Sequence, residues 1–337
     1  MRSLLTIAVL VSGLLATAAG CAHAPASSSG RPGGFAAKGD SQPFVVVLGI
    51  AQDGGVPHAG CDKPCCAAAW KDPSQRRRVV CLAIVDPQSR QRWMIDATPD
   101  FPGQLHALDE ISPPREGSTK PALDGILLTH AHIGHYAGLM HLGREVLGAK
   151  DVPVYAMPRM KAFLEHNGPW DQLIRLQNID LRPLHANQTV KLNERISITP
   201  FVVPHRDEYS ETVGYRIDGP SRSMIFVPDI DKWEKWDRWD HDSQRIEDII
   251  ASANVAYLDG TFFADGELPG RSMAEVPHPF IRESMQRLAP LLDSERAKIR
   301  FIHLNHTNPA LRAGDEAQRE IERAGFHVAR EMERQAL

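Results

Sequence analysis

The sequence predicts a mixed α/β domain of two layered β-sheets with helices outside, and three observations carry that prediction. Short apolar strands come first in pairs and later alternate with segments of helical periodicity, the order that layered sheets covered by helices require. After residue 43 the 337-residue chain has no Pro- or Ser-rich gap and no internal repeat, which favours one domain. A composition of 42% hydrophobic and 24% charged residues supplies one large core or two modest ones. Lys and Arg number 38 against 42 Asp and Glu, a net charge of −4, and no basic run exceeds Arg76-Arg77-Arg78. A nucleic-acid partner is not expected, because binding phosphate backbones needs a basic face.

Taken in order, the chain begins with a targeting segment. Arg2 supplies a positive start, Leu4 to Ala19 is uncharged and apolar, and Ala18-Ala19-Gly20 are the small residues of a cleavage site. The apolar stretch is short against the ~20 residues of a bilayer span. Leu15-Ala16-Thr17-Ala18-Ala19-Gly20-Cys21 resembles a bacterial lipobox, which implies loss of residues 1–20 and a lipidated Cys21. An ordinary signal peptide followed by a cysteine is the alternative. Residues 21–42, with Ala26-Ser27-Ser28-Ser29-Gly30 and Pro32-Gly33-Gly34, bury nothing and read as a tether. The expected product is a domain over 43–337, exported and anchored to a membrane on its periplasmic or outer side.

Within the domain, Phe44 to Leu48 is a buried strand ending at Gly49, and Val79 to Val85 with Trp93 to Ile95 form a hairpin around Asp86-Pro87-Gln88-Ser89. Ile126 to Thr129 is another buried strand, and helical spacing follows over Tyr136 to Leu147. Further strands are predicted at 196–203, 212–217, 223–227, 255–258 and 299–304, and helices at 157–166, 243–253, 280–288 and 314–324.

His130-Ala131-His132-Ile133-Gly134-His135 follows a strand and opens a helix. Residues i and i+2 of a strand extension point the same way, so His130 and His132 can grip one ion while His135 faces a neighbouring position. Three histidines in six residues are poor core filling.

This run resembles the metallo-β-lactamase fold superfamily, whose signature is His-x-His-x-Asp-His after a strand, and the likeness extends from Phe44 to the last long strand. It implies an αββα sandwich. The other stations occur in order: Asp96 after Trp93 to Ile95, His205 after Phe201-Val202-Val203, Asp229 after Phe226-Val227-Pro228, and His303-Leu304-Asn305-His306 at a late strand end. The branch around the pyrroloquinoline-quinone biosynthesis protein PqqB is similar at Leu48-Gly49, Gly54-Gly55, the cysteine loop, Asp96 to Asp100, Leu258 to Phe262, and His303 with Thr307-Asn308-Pro309.

The resemblance implies one ion on His130, His132 and His205 and a second on His135, Asp229 and a terminal histidine. His306 is preferred for that last place, with His303 or Asp259 as an orienting or alternative ligand. Asp229, His306 and Asp96 form the expected catalytic group. Gly134 departs from the signature Asp, so Gly134→Asp is expected to strengthen the second position. Zinc is expected, one or two ions, and the His/Asp set equally accepts iron or manganese. The implied activity is hydrolysis of a small ester, lactone or phosphodiester by a metal-activated water. The alternative is a metal- or cofactor-binding lipoprotein with a redox or ligand-holding role. The sequence specifies no oligomeric state.

Cys61, Cys65 and Cys66 lie in a Gly/Pro-bounded turn whose spacing suits a structural zinc with His58 as a further ligand. A disulfide from Cys61 to Cys65 or Cys66 is the rival in an oxidising compartment. Cys81 reads as a buried thiol, and His278, between Pro277 and Pro279, reads by default as a loop histidine, with an approach to the cleft as the alternative.

Overall fold

Two sheets of seven strands each stack face to face in the computed structural model, which describes residues 41–239 and 245–337. The expected signal segment, Cys21 and most of the tether lie outside the described residues. The first sheet contains β1 (Phe44–Gly49), β2 (Cys81–Asp86), β3 (Gln91–Ile95), β4 (Gly125–Leu127), β5 (Val152–Ala156) and β6 (Ile179–Pro183). The second contains β7 (Val190–Lys191), β8 (Ser197–Val202), β9 (Val213–Asp218), β10 (Ser223–Val227), β11 (Val255–Asp259), β12 (Ile299–Ile302) and β13 (His327–Val328). A last strand, β14 (Arg334–Ala336), returns to pair antiparallel with β1 at the edge of the first sheet.

In both sheets antiparallel pairs give way to parallel ones, at β3–β4 in the first and β10–β11 in the second. That is why strands come in hairpins first and alternate with helices later. The sheets are covered by α1 (Pro64–Lys71), α2 (Phe101–Ile111), α3 (Ile133–Tyr136), α4 (Pro158–His166), α5 (Trp170–Arg175), α6 (Trp233–Asp237), α7 (Ile246–Ala251), α8 (Ile281–Leu288), α9 (Asp293–Arg296) and α10 (Glu316–Arg323).

Strand β1 explains its own sequence. Val45 and Val47 enter the core between the sheets, whereas Val46 and Leu48 enter a second core beneath α2, α4 and α5. A strand buried on both faces has no polar alternation, so it reads as a continuous apolar run.

Two expectations fail for local reasons. The helix foreseen over Tyr136 to Leu147 is instead the single turn α3 followed by a 3₁₀ segment, Ala137–Leu142. Tyr136, Leu139 and Leu142 are buried at a spacing of three, which suits three residues per turn. Gly138 brings that backbone against the loop after β3: its N–H donates to the Ala97 carbonyl at 2.8 Å, and a Cβ there would lie 2.8 Å from the Ala97 carbonyl carbon. The strand foreseen over 299–304 stops at Ile302, because His303 takes the left-handed conformation, φ 64°. Helices α1, α2 and α5 and strands β5 and β6 were not singled out by the sequence pattern.

Candidate metal centre

The site lies where strand ends of both sheets meet. His130 and His132 follow β4, and His135 sits in α3. His205 follows β8, Asp229 follows β10, Asp259 closes β11, and His303 follows β12. Ligand atoms of His130, His132, His205 and Asp229 all lie within 4.8 Å of one another. His130 Nε2 is 3.3 Å from Asp229 Oδ2, and His205 Nε2 is 3.3 Å from Asp229 Oδ1. His132 Nδ1 stands 2.9 Å from His130 Nε2 and 3.2 Å from His205 Nε2.

Asp229 also reaches the other half of the site. Its Oδ2 is 3.8 Å from both His135 Nε2 and His303 Nε2. One carboxylate therefore stands between His130, His132 and His205 on one side and His135 and His303 on the other.

The rings are held from behind, leaving their other nitrogen for the centre. Asp96 Oδ2 is 2.7 Å from His135 Nδ1 and accepts the Thr129 hydroxyl. His130 Nδ1 contacts that same hydroxyl at 3.0 Å. Thr261 Oγ1 is 2.8 Å from His303 Nδ1 and donates to Asp259 Oδ1. Such outer partners fix ring orientation and ligand basicity.

Charge follows the same geometry. Burial alone would raise the Asp229 carboxyl, but His205, His303 and His278 hold it well below the carboxylate range. Burial opposes protonation of His135, yet Asp96 and Asp53 hold it well above the ordinary histidine value. Burial and the neighbouring His135 push His130 well down. Buried carboxylates that stay ionised need positive charge beside them, as protons or as a cation. His135 Nε2, His303 Nε2 and Asp53 Oδ1 are buried with no hydrogen-bond partner but one another among the described residues, and they converge, which fits a metal ion.

Several expected positions are corrected. His306 does not reach this centre. The left-handed turn at His303 sends its imidazole into the site, and His306 leaves toward the cysteine loop. There, Cys61, Cys65, Cys66 and His306 form a separate four-ligand group. His58 is not part of that group; its ring packs edge-on against His306 with centroids 4.4 Å apart, and its backbone N–H donates to Cys66 Sγ at 3.3 Å. Burial, with His58 and Lys63 nearby, pushes His306 down to about 4, leaving a neutral ring. The three thiols, like Cys81, are free, and no disulfide joins Cys61 to Cys65, whose sulfurs are 3.6 Å apart.

Asp96 is not positioned to react. It is fully buried behind His135, and its oxygens are taken by the Thr129 N–H, the Thr129 hydroxyl and the ring, so it positions that histidine. Asp259 orients as expected and also meets His278, whose Nδ1 is 2.9 Å from Asp259 Oδ2 and 3.1 Å from Asp229 Oδ1. His278 is thus a site residue where the loop default fails, since a histidine between two prolines carries no pattern that decides between loop and cleft.

Asp53 was missed by the sequence reading. Its carboxylate occupies the place beside Gly134, so Gly134→Asp has no room to add a ligand: a Cβ at Gly134 would lie 2.5 Å from Asp53 Cα. An acidic residue in a Gly-rich loop at the end of β1, on the same edge as the other strand ends, was the available signal. Trp233 and Trp236 are buried, with the Trp233 indole donating to Ser284 at 3.0 Å, so this helix edge packs on the domain.

Comparison with known proteins adds three findings. The sequence profile described as "Beta-lactamase superfamily domain" matches residues 91–304. The chain is similar to the coenzyme PQQ synthesis protein B of Methylorubrum extorquens (strain PA1), 26% identical over 304 residues that cover 85% of this chain and 97% of that protein. Among solved structures it resembles Zn(2+)-bound PqqB from Methylobacterium extorquens, with a TM-score of 0.72, 25% identity, and coverage of 87% of this chain and 100% of that one. It also resembles a diphosphatase of the PhnP family, with a TM-score of 0.60, 22% identity, and coverage of 88% and 97%; that likeness concerns the fold.

Proposed function

The chain belongs to the β-lactamase superfamily, as a PqqB-like protein of the metallo-β-lactamase fold, and on that premise we propose that it is a metal-dependent hydrolase of a small ester, lactone or phosphodiester. The observation that carries the proposal is the convergence of His130, His132 and His205 on the ionised Asp229, beside the inward-facing Nε2 atoms of His135 and His303. Zinc is the expected ion. Once bound, it would supply Lewis acidity toward a carbonyl or phosphoryl oxygen and a water acidified to a pKa of about 7. The chain's own contribution is to hold Asp229 between the two ligand sets. Asp96 and Thr261 fix the ring planes of His135 and His303, and Asp259 and His278 brace the far side. The non-catalytic alternative drew on the missing carboxylate at Gly134; with Asp53 beside that position, hydrolysis is the better supported reading.

We further propose that Cys61, Cys65, Cys66 and His306 hold a structural zinc, and that the chain is exported and anchored to a membrane through lipid on Cys21. The test uses full-length protein purified in detergent, with metal analysis and a panel of esters, lactones and phosphodiesters. Stoichiometric metal with turnover of at least one class is expected. Stoichiometric metal with no turnover on any of them would sink the hydrolase. In the producing cell, Cys21→Ser should abolish acyl labelling and move the protein to the soluble fraction, and an unlabelled wild type would sink the anchor.

A further inference from the structure

The loop after β1 reaches into the metal centre at the one place where the histidine run lacks a side chain. It is a fixed turn. Ala51 bridges to both Val79 and Leu304, the Gln52 N–H donates to the Leu304 carbonyl at 2.9 Å, and the Gly55 N–H donates back to the Gln52 carbonyl at 2.7 Å. Gly55 has φ 64°, which a side chain would strain. Val56 exchanges both backbone hydrogen bonds with Arg77 at 2.9 Å. Asp53 is therefore delivered to its place by backbone on either side.

That place is specific. Asp53 Oδ1 is 3.1 Å from His135 Nε2 and 3.7 Å from His303 Nε2. These three atoms are within 4.8 Å of one another, and all are buried with no hydrogen-bond partner but one another among the described residues. Both rings are fully buried, and each has its Nδ1 engaged, by Asp96 and Thr261 respectively. The close approach of Asp53 depends on Gly134, because any Cβ there would meet the Asp53 backbone.

Building on the metal-centre reading above, we propose that Asp53 is the carboxylate ligand of the second metal position, in the role the signature assigns to the residue that is Gly134 here. His135, His303 and Asp229 complete the set. The carboxylate has moved from the helix start to the facing loop, and the ligand chemistry, two imidazoles and two carboxylates, still suits zinc, manganese or iron.

The test is a cobalt(II) titration of the full-length apo protein, followed by absorption spectroscopy. Thiolate ligation gives a charge-transfer band that His/Asp sites lack, so the cysteine cluster is counted separately. Wild type is expected to bind two ions at His/Asp positions. Asp53→Asn, nearly isosteric, and Asp53→Ala should keep one and either lose the other or weaken it by more than about tenfold, since even outer-shell changes cost ~10–100-fold. The thiolate band and the circular dichroism should not change. His130→Ala should lose the opposite ion. Two ions bound to Asp53→Asn with wild-type affinity would overturn the assignment and leave the hydrolase intact. A wild type with a single His/Asp ion would do the same. A wild type with none would overturn both.

Discussion

His303 and His306 divide two metal-ligand groups between them, although only two residues separate them. His303 reaches the His/Asp centre because its φ of 64° breaks the strand, and His306 joins Cys61, Cys65 and Cys66. Single substitutions should therefore separate the groups. His303→Ala is expected to weaken one His/Asp ion and leave the thiolate charge-transfer band of cobalt(II) intact. His306→Ala should alter that band and leave the His/Asp ions. The reverse pattern would restore His306 to the active centre. His130, His132 and His135 were legible in the sequence, because a strand end followed by closely spaced ligands is a local pattern, whereas His205 and Asp229 were placed by the family resemblance. Asp53 and His278 were not, because what makes them part of the site is contact across the fold. The choice between His303 and His306 turned on one backbone dihedral, and the family resemblance pointed to the wrong histidine.

At the scale of elements, doubly buried strands such as β1 and β2 announced themselves as apolar runs. The short β7 and β13, two residues each, gave no pattern to read. The segment after α3 was mistaken for an α-helix because apolar residues spaced by three and by four look alike until the close approach at Gly138 selects the tighter turn. Strand β14 closes the first sheet, and the residue just before it couples that closure to pH. Tyr257 donates to Glu333 Oε1 at 2.6 Å, and burial, only partly offset by Tyr257 and Arg300, raises the Glu333 carboxyl above its ordinary 4.5. The folded state thus keeps a proton that the unfolded chain gives up, so this group's stabilisation is full below the unfolded value and is lost as pH rises through the folded one. Glu333→Gln, neutral throughout and still able to accept from Tyr257, should match wild type in urea denaturation near the acid end and be more stable at pH 7. Equal midpoints at both pH values would contradict the buried, raised carboxyl.

At the scale of the molecule, the site joins the two sheets. Asp53, Asp96, His130, His132 and His135 come from connections of the first sheet, while His205, Asp229, Asp259 and His303 come from strand ends of the second. The large core between the sheets holds them together without any ion, since it runs from Val45 and Trp93 to Phe226 and Phe301. An ion would add a cross-link at the strand-end edge, where ionised carboxylates and the inward ring nitrogens of His135 and His303 face one another. Because an ion that binds only the folded chain stabilises it by about 2.7 kcal/mol at one hundred times its Kd, chelation should lower the thermal midpoint, by less than ~2 °C for each kcal/mol in a domain of this size. His205→Ala, which removes a ligand contributed by the second sheet, should reduce the shift produced by chelator. Cys61→Ser should reduce it by a separate and additive amount, because the cysteine cluster is a distinct group. Differential scanning calorimetry of these proteins with and without chelator measures both terms. A wild-type midpoint that chelator leaves unmoved would show that the sheets are held by their core alone and that neither group binds metal tightly enough to matter to the fold.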